Sequence, residues 1–236
     1  MCYSNSSTSK NIDLAKKYKK EIPVSIADEP IFFASAFAHP AWRVITQNPS
    51  IESMNWGLVP SWFKGENYLE IASKTPNARI ETLETTASYK GLIQNQRCII
   101  PSTGYFEWQH EGKEKIPFFI APKGTEIFSI AGLFSEWIHH PKSHQKMRTF
   151  TIITCEAYPF LAAIHNTKKR MPFLLPDSAL ENWLSPAGME LNNLTLLPEN
   201  QIQAHTIDKR IINSKNPNIP QVQQLFKADF IQGSLF

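Results

Sequence analysis

Seventeen prolines and nine glycines are scattered along this chain of 236 residues, so it must fold as many short elements joined by turns. Between the breaks the clearest signal is β. Thr149-Phe150-Thr151-Ile152-Ile153-Thr154 is β-branched at five of six positions and predicts a buried strand. Arg43-Val44-Ile45-Thr46 alternates as a half-buried strand does, and Arg97–Pro101, Phe118–Ile120, 127–134, 171–175 and 201–207 read as further strands. Helices are predicted over 11–20, from the 76–81 cluster through Gly91, over 156–165, from the capping-box sequence Ser178-Ala179-Leu180-Glu181, and over 221–230. Hydrophobic residues make up 42% and aromatics 11%, ample for one interior. The expectation is a single α+β domain over residues 1–236, with a mostly antiparallel, barrel-like β core flanked by short helices.

Composition narrows the function classes. A net charge of +3 is far from that of a nucleic-acid-coating tail, so any nucleic-acid binding has to come from a local groove. Cys2, Cys98 and Cys155 show no CxxC or Cys/His spacing, which points to neither a zinc site nor a disulfide framework; no metal and no cofactor is expected. No apolar run approaches the ~18 residues of a membrane span, and no signal-like segment opens the chain. A cytoplasmic monomer without membrane contact is expected.

Chemistry-bearing residues are few. Cys2 directly follows the start methionine, and removal of Met1 ahead of so small a residue would leave an amine and a thiol on adjacent carbons. Unperturbed, these titrate near about pH 8 and about pH 8.5, so each is partly nucleophilic at neutral pH. With an aldehyde such a pair forms an imine and closes a thiazolidine ring. Glu107, between Phe106 and Trp108, is either a desolvated acid/base group or a carboxylate facing water on an alternating strand. His165 falls at the C-terminal end of a predicted helix, where the dipole favours the imidazolium. Trp56 and Trp62 bracket a Gly and a Pro; they are either core corners or rings on which an unpaired base could stack.

Taken in order, Cys2, Trp56–Pro60, Asn77-Ala78-Arg79-Ile80-Glu81-Thr82, Arg97–Pro101, Gly104-Tyr105-Phe106-Glu107-Trp108, Ala131-Gly132-Leu133 and Ile164-His165 with Arg170-Met171-Pro172 resemble the SRAP family of abasic-site processing proteins. The resemblance implies a sensor that binds single-stranded DNA or junctions and crosslinks the abasic-site aldehyde through Cys2, with lyase-type chemistry and a place at the nucleoid after damage. It implies that Asn77 orients the Cys2 amine, that Arg79 contacts phosphate, and that Glu107 and His165 move protons. Two departures stand out. Most of the family reads Cys-Gly-Arg where this chain has Cys2-Tyr3-Ser4, and Asn166-Thr167-Lys168-Lys169 intervenes between His165 and Arg170. Lys168 and Lys169 could supply the phosphate contacts that the absent arginine would have made. A non-covalent single-stranded-DNA or junction module, and an N-terminal-cysteine peptidase acting on its own Met1, remain open as alternatives.

Overall fold

The β-branched run at 149–154 lies at the centre of the fold. In a computed structural model, which describes residues 2–138, 146–186 and 193–226, it is the middle of an eleven-residue strand. The strands in chain order are β1 (Ser4–Ser7), β2 (Ile31–Ser35), β3 (Ala41–Val44), β4 (Glu52–Trp56), β5 (Asn77–Arg79), β6 (Arg97–Ser102), β7 (Gly104–Glu111), β8 (Glu114–Pro122), β9 (Phe128–Ile138), β10 (Lys146–Glu156), β11 (Arg170–Pro172), β12 (Leu174–Leu175) and β13 (Ile202–Thr206). Short helices α1 (Asn11–Tyr18), α2 (Tyr68–Ala72), α3 (Leu92–Asn95), α4 (Pro159–Ile164), α5 (Leu180–Leu184) and α6 (Lys209–Ile212) fill the connections. Among the described residues no helix is long and apolar enough to cross a membrane.

The α+β, mostly antiparallel core expected from the sequence is what forms. Its strands divide between two sheets rather than closing into one barrel: β13-β8-β7-β1-β2, and β12-β9-β10-β4-β3 with β5 and β11 on β10 and β6 on β9. The parallel pairings are those of β10 with β4 and β5. Residues Thr149 to Cys155 of β10 are all buried, which explains a continuous apolar and β-branched run in place of alternation. Trp42, Trp56 and Trp183 close the corners around this strand. Each is fully buried and donates its indole N–H to a backbone carbonyl, of Pro101, Pro76 and Cys98 respectively.

Three expectations change. The helix expected between Glu81 and Gly91 is a 3-10 turn at Ile80–Thr82 followed by turns, because threonine hydroxyls there bond back to carbonyls: Thr82 to Arg79 O and Thr85 to Thr82 O. The capping box at Ser178 makes no side-chain cap; a 3-10 turn at Asp177–Ala179 leads into α5 instead. In place of the expected closing helix, the described part of 221–230 holds only a 3-10 turn at Pro220–Gln223 that ends at extended Gln224, and residues from 227 on lie outside the described residues.

One strand carries no sequence signal. Ser4-Asn5-Ser6-Ser7 is polar throughout, yet β1 is wholly buried between β2 and β7. Asn5, Ser6 and Ser7 each make side-chain hydrogen bonds, while Asn5 Nδ2 has no partner among the described residues. Asn5 Oδ1 accepts from Ser102 Oγ (2.5 Å) and from the Ser6 N–H, and Ser6 Oγ donates to Gly104 O (3.0 Å). The buried Arg43 of β3 donates to Ser7 O (2.9 Å), Ser7 Oγ (2.7 Å), Ser9 O (2.8 Å) and Asn11 Oδ1 (3.0 Å), tying β1 to the second sheet.

Close approach of strands sets a test of this packing. Gly132 of β9 sits between Cys98 of β6 and Ile152 of β10, and a Cβ there would lie 2.1 Å from Ile100 Cδ1 and 2.7 Å from the Thr151 carbonyl oxygen. The carbonyl cannot give way without bending β10. Gly132→Ala is expected to cost about 1–3 kcal/mol, lowering the thermal midpoint by about 2–10 °C. An unchanged calorimetric midpoint would mean that β9 and β10 lie further apart.

Candidate active site

Cys2 enters β1 directly, so the strand's fixed register also fixes the start of the chain. Its side chain is 0% exposed, and its thiol points to the carbonyl of Ser4 at 3.7 Å. β7 runs antiparallel beside β1, with Tyr105 opposite Asn5; Glu107, two residues on, shares the face of Tyr105. The field of Glu107 reaches both Cys2 and Tyr3. Burial, with that carboxylate adding to it, pushes the Cys2 thiol up, so it is held as S–H. Glu107 is itself only 5% exposed, and burial pushes its carboxyl up to about 8, against the pull of the positive amino terminus. Of its two readings, the desolvated acid is therefore the one that holds.

His165 caps α4, whose first turn carries Pro159, as the sequence suggests. Its Nδ1 lies 2.9 Å from the carbonyl of Arg170, which can only accept, so Nδ1 carries the proton and Nε2 is the basic nitrogen. Nδ1 also stands 3.7 Å from Glu107 Oε1. The four residues intervening before Arg170 close on themselves: the Lys169 N–H donates to His165 O (2.8 Å), with Lys169 in the left-handed region at φ 51°. The chain thus returns beneath the imidazole. The dipole expectation is corrected here. Burial lowers the His165 pKa, the Arg170 carbonyl opposes this, and the amino terminus, His110 and Lys168 add to the lowering; α4 has too few turns to outweigh them.

Asn77 opens β5 opposite Ile152 of β10. Both ends of its carboxamide, Oδ1 and Nδ2, are buried and have no hydrogen-bond partner among the described residues. A buried polar group without a hydrogen bond costs about 1–3 kcal/mol, so this carboxamide is poised to bond water or a ligand. The Asn77 carbonyl accepts from Tyr89 Oη (3.1 Å), and Tyr89 lies within the field of Tyr3 beside Cys2. Arg79 is exposed two residues on. Glu81 receives a bidentate pair from Arg170 (2.7 and 2.9 Å), which also donates to Thr154 O. That clamp joins the Asn-Ala-Arg-Ile-Glu and Arg-Met-Pro motifs.

Glu107 links Cys2 and His165, its field reaching the thiol and its Oε1 standing 3.7 Å from His165 Nδ1, while Asn77 holds Tyr89, which lies in the field of Tyr3, through its backbone carbonyl. Trp56 does not take part: it is fully buried, its ring stacked on Phe150 at 6.1 Å, so it is a core corner and not a base-stacking ring. Trp62 is 54% exposed, and its indole N–H is held by Ala87 O. Lys168 and Lys169 are exposed beside His165. Sequence reasoning passes over Tyr89, and also Tyr105, whose hydroxyl is buried without a hydrogen-bond partner among the described residues and lies in the field of Cys2 and Glu107. The aromatic run ahead of Glu107 is its only signal. No three His, Cys, Asp or Glu side chains among the described residues gather where they could hold a metal ion.

Cys2, with a carboxyl held protonated and a neutral imidazole near it on a two-sheet α+β frame, makes this a candidate site for proton-assisted nucleophilic chemistry. The model of the SOS response associated peptidase (SRAP) family matches residues 1–214, and the chain belongs to that family. It is 33% identical over 190 residues to the abasic site processing protein HMCES of Gallus gallus, covering 71% of this chain and 55% of that protein. The chain thus spans about half the length of this relative. It is 32% identical over 180 residues to the abasic site processing protein YoqW of Bacillus subtilis, covering 74% and 76% of the two chains. A crystal structure of a protein from Bacteroides thetaiotaomicron superposes with a TM-score of 0.90 at 35% identity, covering 96% of this chain and 100% of that one.

The Glu107 carboxyl makes stability depend on pH. Folded, it keeps its proton up to about pH 8, whereas unfolded it ionises near about pH 4.3. Between those values the folded state binds more protons, so this contribution is complete at low pH and is lost as pH rises through the folded pKa. Glu107→Gln removes the dependence. Its thermal midpoint is expected to match the wild type near pH 4 and to exceed it increasingly from pH 5 to pH 8; parallel curves would contradict a buried, protonated Glu107.

Proposed function

We propose that this protein processes abasic sites in DNA by capturing the open-chain sugar aldehyde of a single strand as a thiazolidine on Cys2. The observation that carries the reading is the placing of Cys2 against Glu107, a carboxylic acid that keeps its proton at neutral pH, with His165 as an adjoining base. The names of the chicken and Bacillus relatives support the substrate class. The reading takes the chain as a single domain and a monomer, acting in the cytoplasm at single strands and junctions in DNA repair.

Loss of Met1 turns the Cys2 nitrogen into an amine. The closed sugar opens when His165 Nε2 takes the proton from O1′ and a proton is returned to O4′, giving the aldehyde at C1′. The amine attacks C1′, and the Asn77 carboxamide holds its orientation. Glu107 gives its proton to the C1′ hydroxyl, which leaves as water, and recovers one from nitrogen as the imine forms. Sulfur then bonds to C1′, its proton passes to nitrogen, and the ring closes. One water is released in all. A thiol kept neutral suits this order, since the amine acts first. Arg79, Lys168 and Lys169 supply phosphate contacts, and Trp62 offers a face to a base.

A denaturing gel tests the reading directly. Single-stranded DNA carrying one abasic site should give a covalent band that is absent with an intact strand and absent for Cys2→Ala. Glu107→Gln should slow capture by about 10²–10⁴-fold and flatten the fall in rate expected for the wild type as pH rises through 8. Equal binding of both strands with no covalent band would leave a non-covalent DNA-binding module. An intact mass that retains Met1 would sink the amine step, and peptide cleavage that depends on Cys2 would favour a peptidase.

A further inference from the structure

We propose that Tyr3 and Phe37 form a stacking shelf for the unpaired base next to the lesion, a subsite that rests on the capture reading above. The two rings lie 5.0 Å apart at 28°, a stacked pair, with Phe37 58% exposed. Tyr3 is the residue after Cys2, so a sugar bonded to the Cys2 nitrogen is one residue from its ring. Both rings sit on backbone that is held in place. The Tyr3 carbonyl accepts from the Ala36 N–H at 2.8 Å, and Ser35 Oγ accepts from the Phe37 N–H at 3.3 Å, capping the 3-10 turn Ala36–Ala38. His39, left-handed at φ 48°, ends that turn, and its ring bridges Trp56 O (2.9 Å) and Ser73 Oγ (3.2 Å).

Beyond Phe37 opens a cavity of about 350 Å³ that His39, Asn55, Tyr68 and Leu69 also line. A flat aromatic face, rigidly presented beside the nucleophile and bordered by open space, is the feature that stacks bases in sequence-tolerant single-strand binding, because every base has a π-face. Charge complementarity favours nucleic acid as the occupant: exposed Arg79 follows Asn77 of the same site. Ser4, in contrast, is buried opposite Ser35 and offers a phosphate nothing. Recognition next to the lesion therefore shifts from charge to stacking in this chain.

A short single strand with a stable abasic analogue beside a fluorescent adenine analogue reads this contact. Bound to the Cys2→Ala protein, the fluorophore should be quenched. Tyr3→Gly and Phe37→Ala, each made in that protein, should remove the quenching and weaken binding about 5–100-fold. A strand whose flanking positions also lack bases should change by no more than about twofold. Quenching that persists in both variants, or equal losses on both strands, would overturn the shelf. Quenching without any covalent band from the wild-type protein would bring down the capture reading alone and leave the shelf on a non-covalent module.

Discussion

The arrangement depends first on a buried polar strand. β1 places two serines, an asparagine and a third serine in the interior, where each hydroxyl or amide left dry would cost about 1–3 kcal/mol. Asn5 Oδ1 with Ser102, Ser6 with Gly104, and Ser7 with Arg43 meet part of that demand in this register, while Asn5 Nδ2 has no hydrogen-bond partner among the described residues. A slip by one residue would turn these groups to the wrong face and strand the Arg43 guanidinium as well. An apolar strand could slide at smaller cost. Because Cys2 lies just ahead of β1 with no intervening loop, the register of β1 also fixes Cys2, the proposed nucleophile.

The reacting region is built on the opposite principle. Asn77 Oδ1 and Nδ2 and the Tyr105 hydroxyl are buried with no hydrogen-bond partner among the described residues. Glu107 and Cys2 keep their protons because their surroundings disfavour charge. Hydrogen bonds of Arg43 to β1 and of Arg170 to Glu81 hold the frame around them. A preorganised site of this kind meets developing charge without first having to reorganise.

The same contrast separates what is legible in the sequence from what is not. Segments whose structure follows from burial of apolar groups are legible: β10 from its β-branching, α4 from Pro159, and the mostly antiparallel α+β frame. β1 is not, since nothing in Ser-Asn-Ser-Ser distinguishes a buried matched strand from a solvated one. Only the distant partners Arg43, Ser102 and Gly104 decide it. Trp56 illustrates the same limit from the other side. Its ring could as well have faced a base, and the Phe150 and Pro76 contacts that bury it come from remote segments. For His165, helix position alone suggests a raised pKa, and the desolvation that lowers it is a tertiary property. The motif set locates Cys2, Asn77 and Glu107 but cannot say that Arg170 and Glu81 bind its two halves together.

The Tyr3-Ser4 departure then takes on a physical meaning. Position 4 lies inside the sheet, paired with Ser35, and a small hydroxyl completes that interior without a path to solvent. An arginine there would have to lead its charge out past β2. With serine, positive charge near the site rests on Arg79 and on the Lys168-Lys169 turn, which is anchored to the His165 carbonyl. On the proposed capture, the initial encounter need last only long enough for imine formation. Geometry around Cys2, more than electrostatic affinity, is then what selection on this site has to preserve.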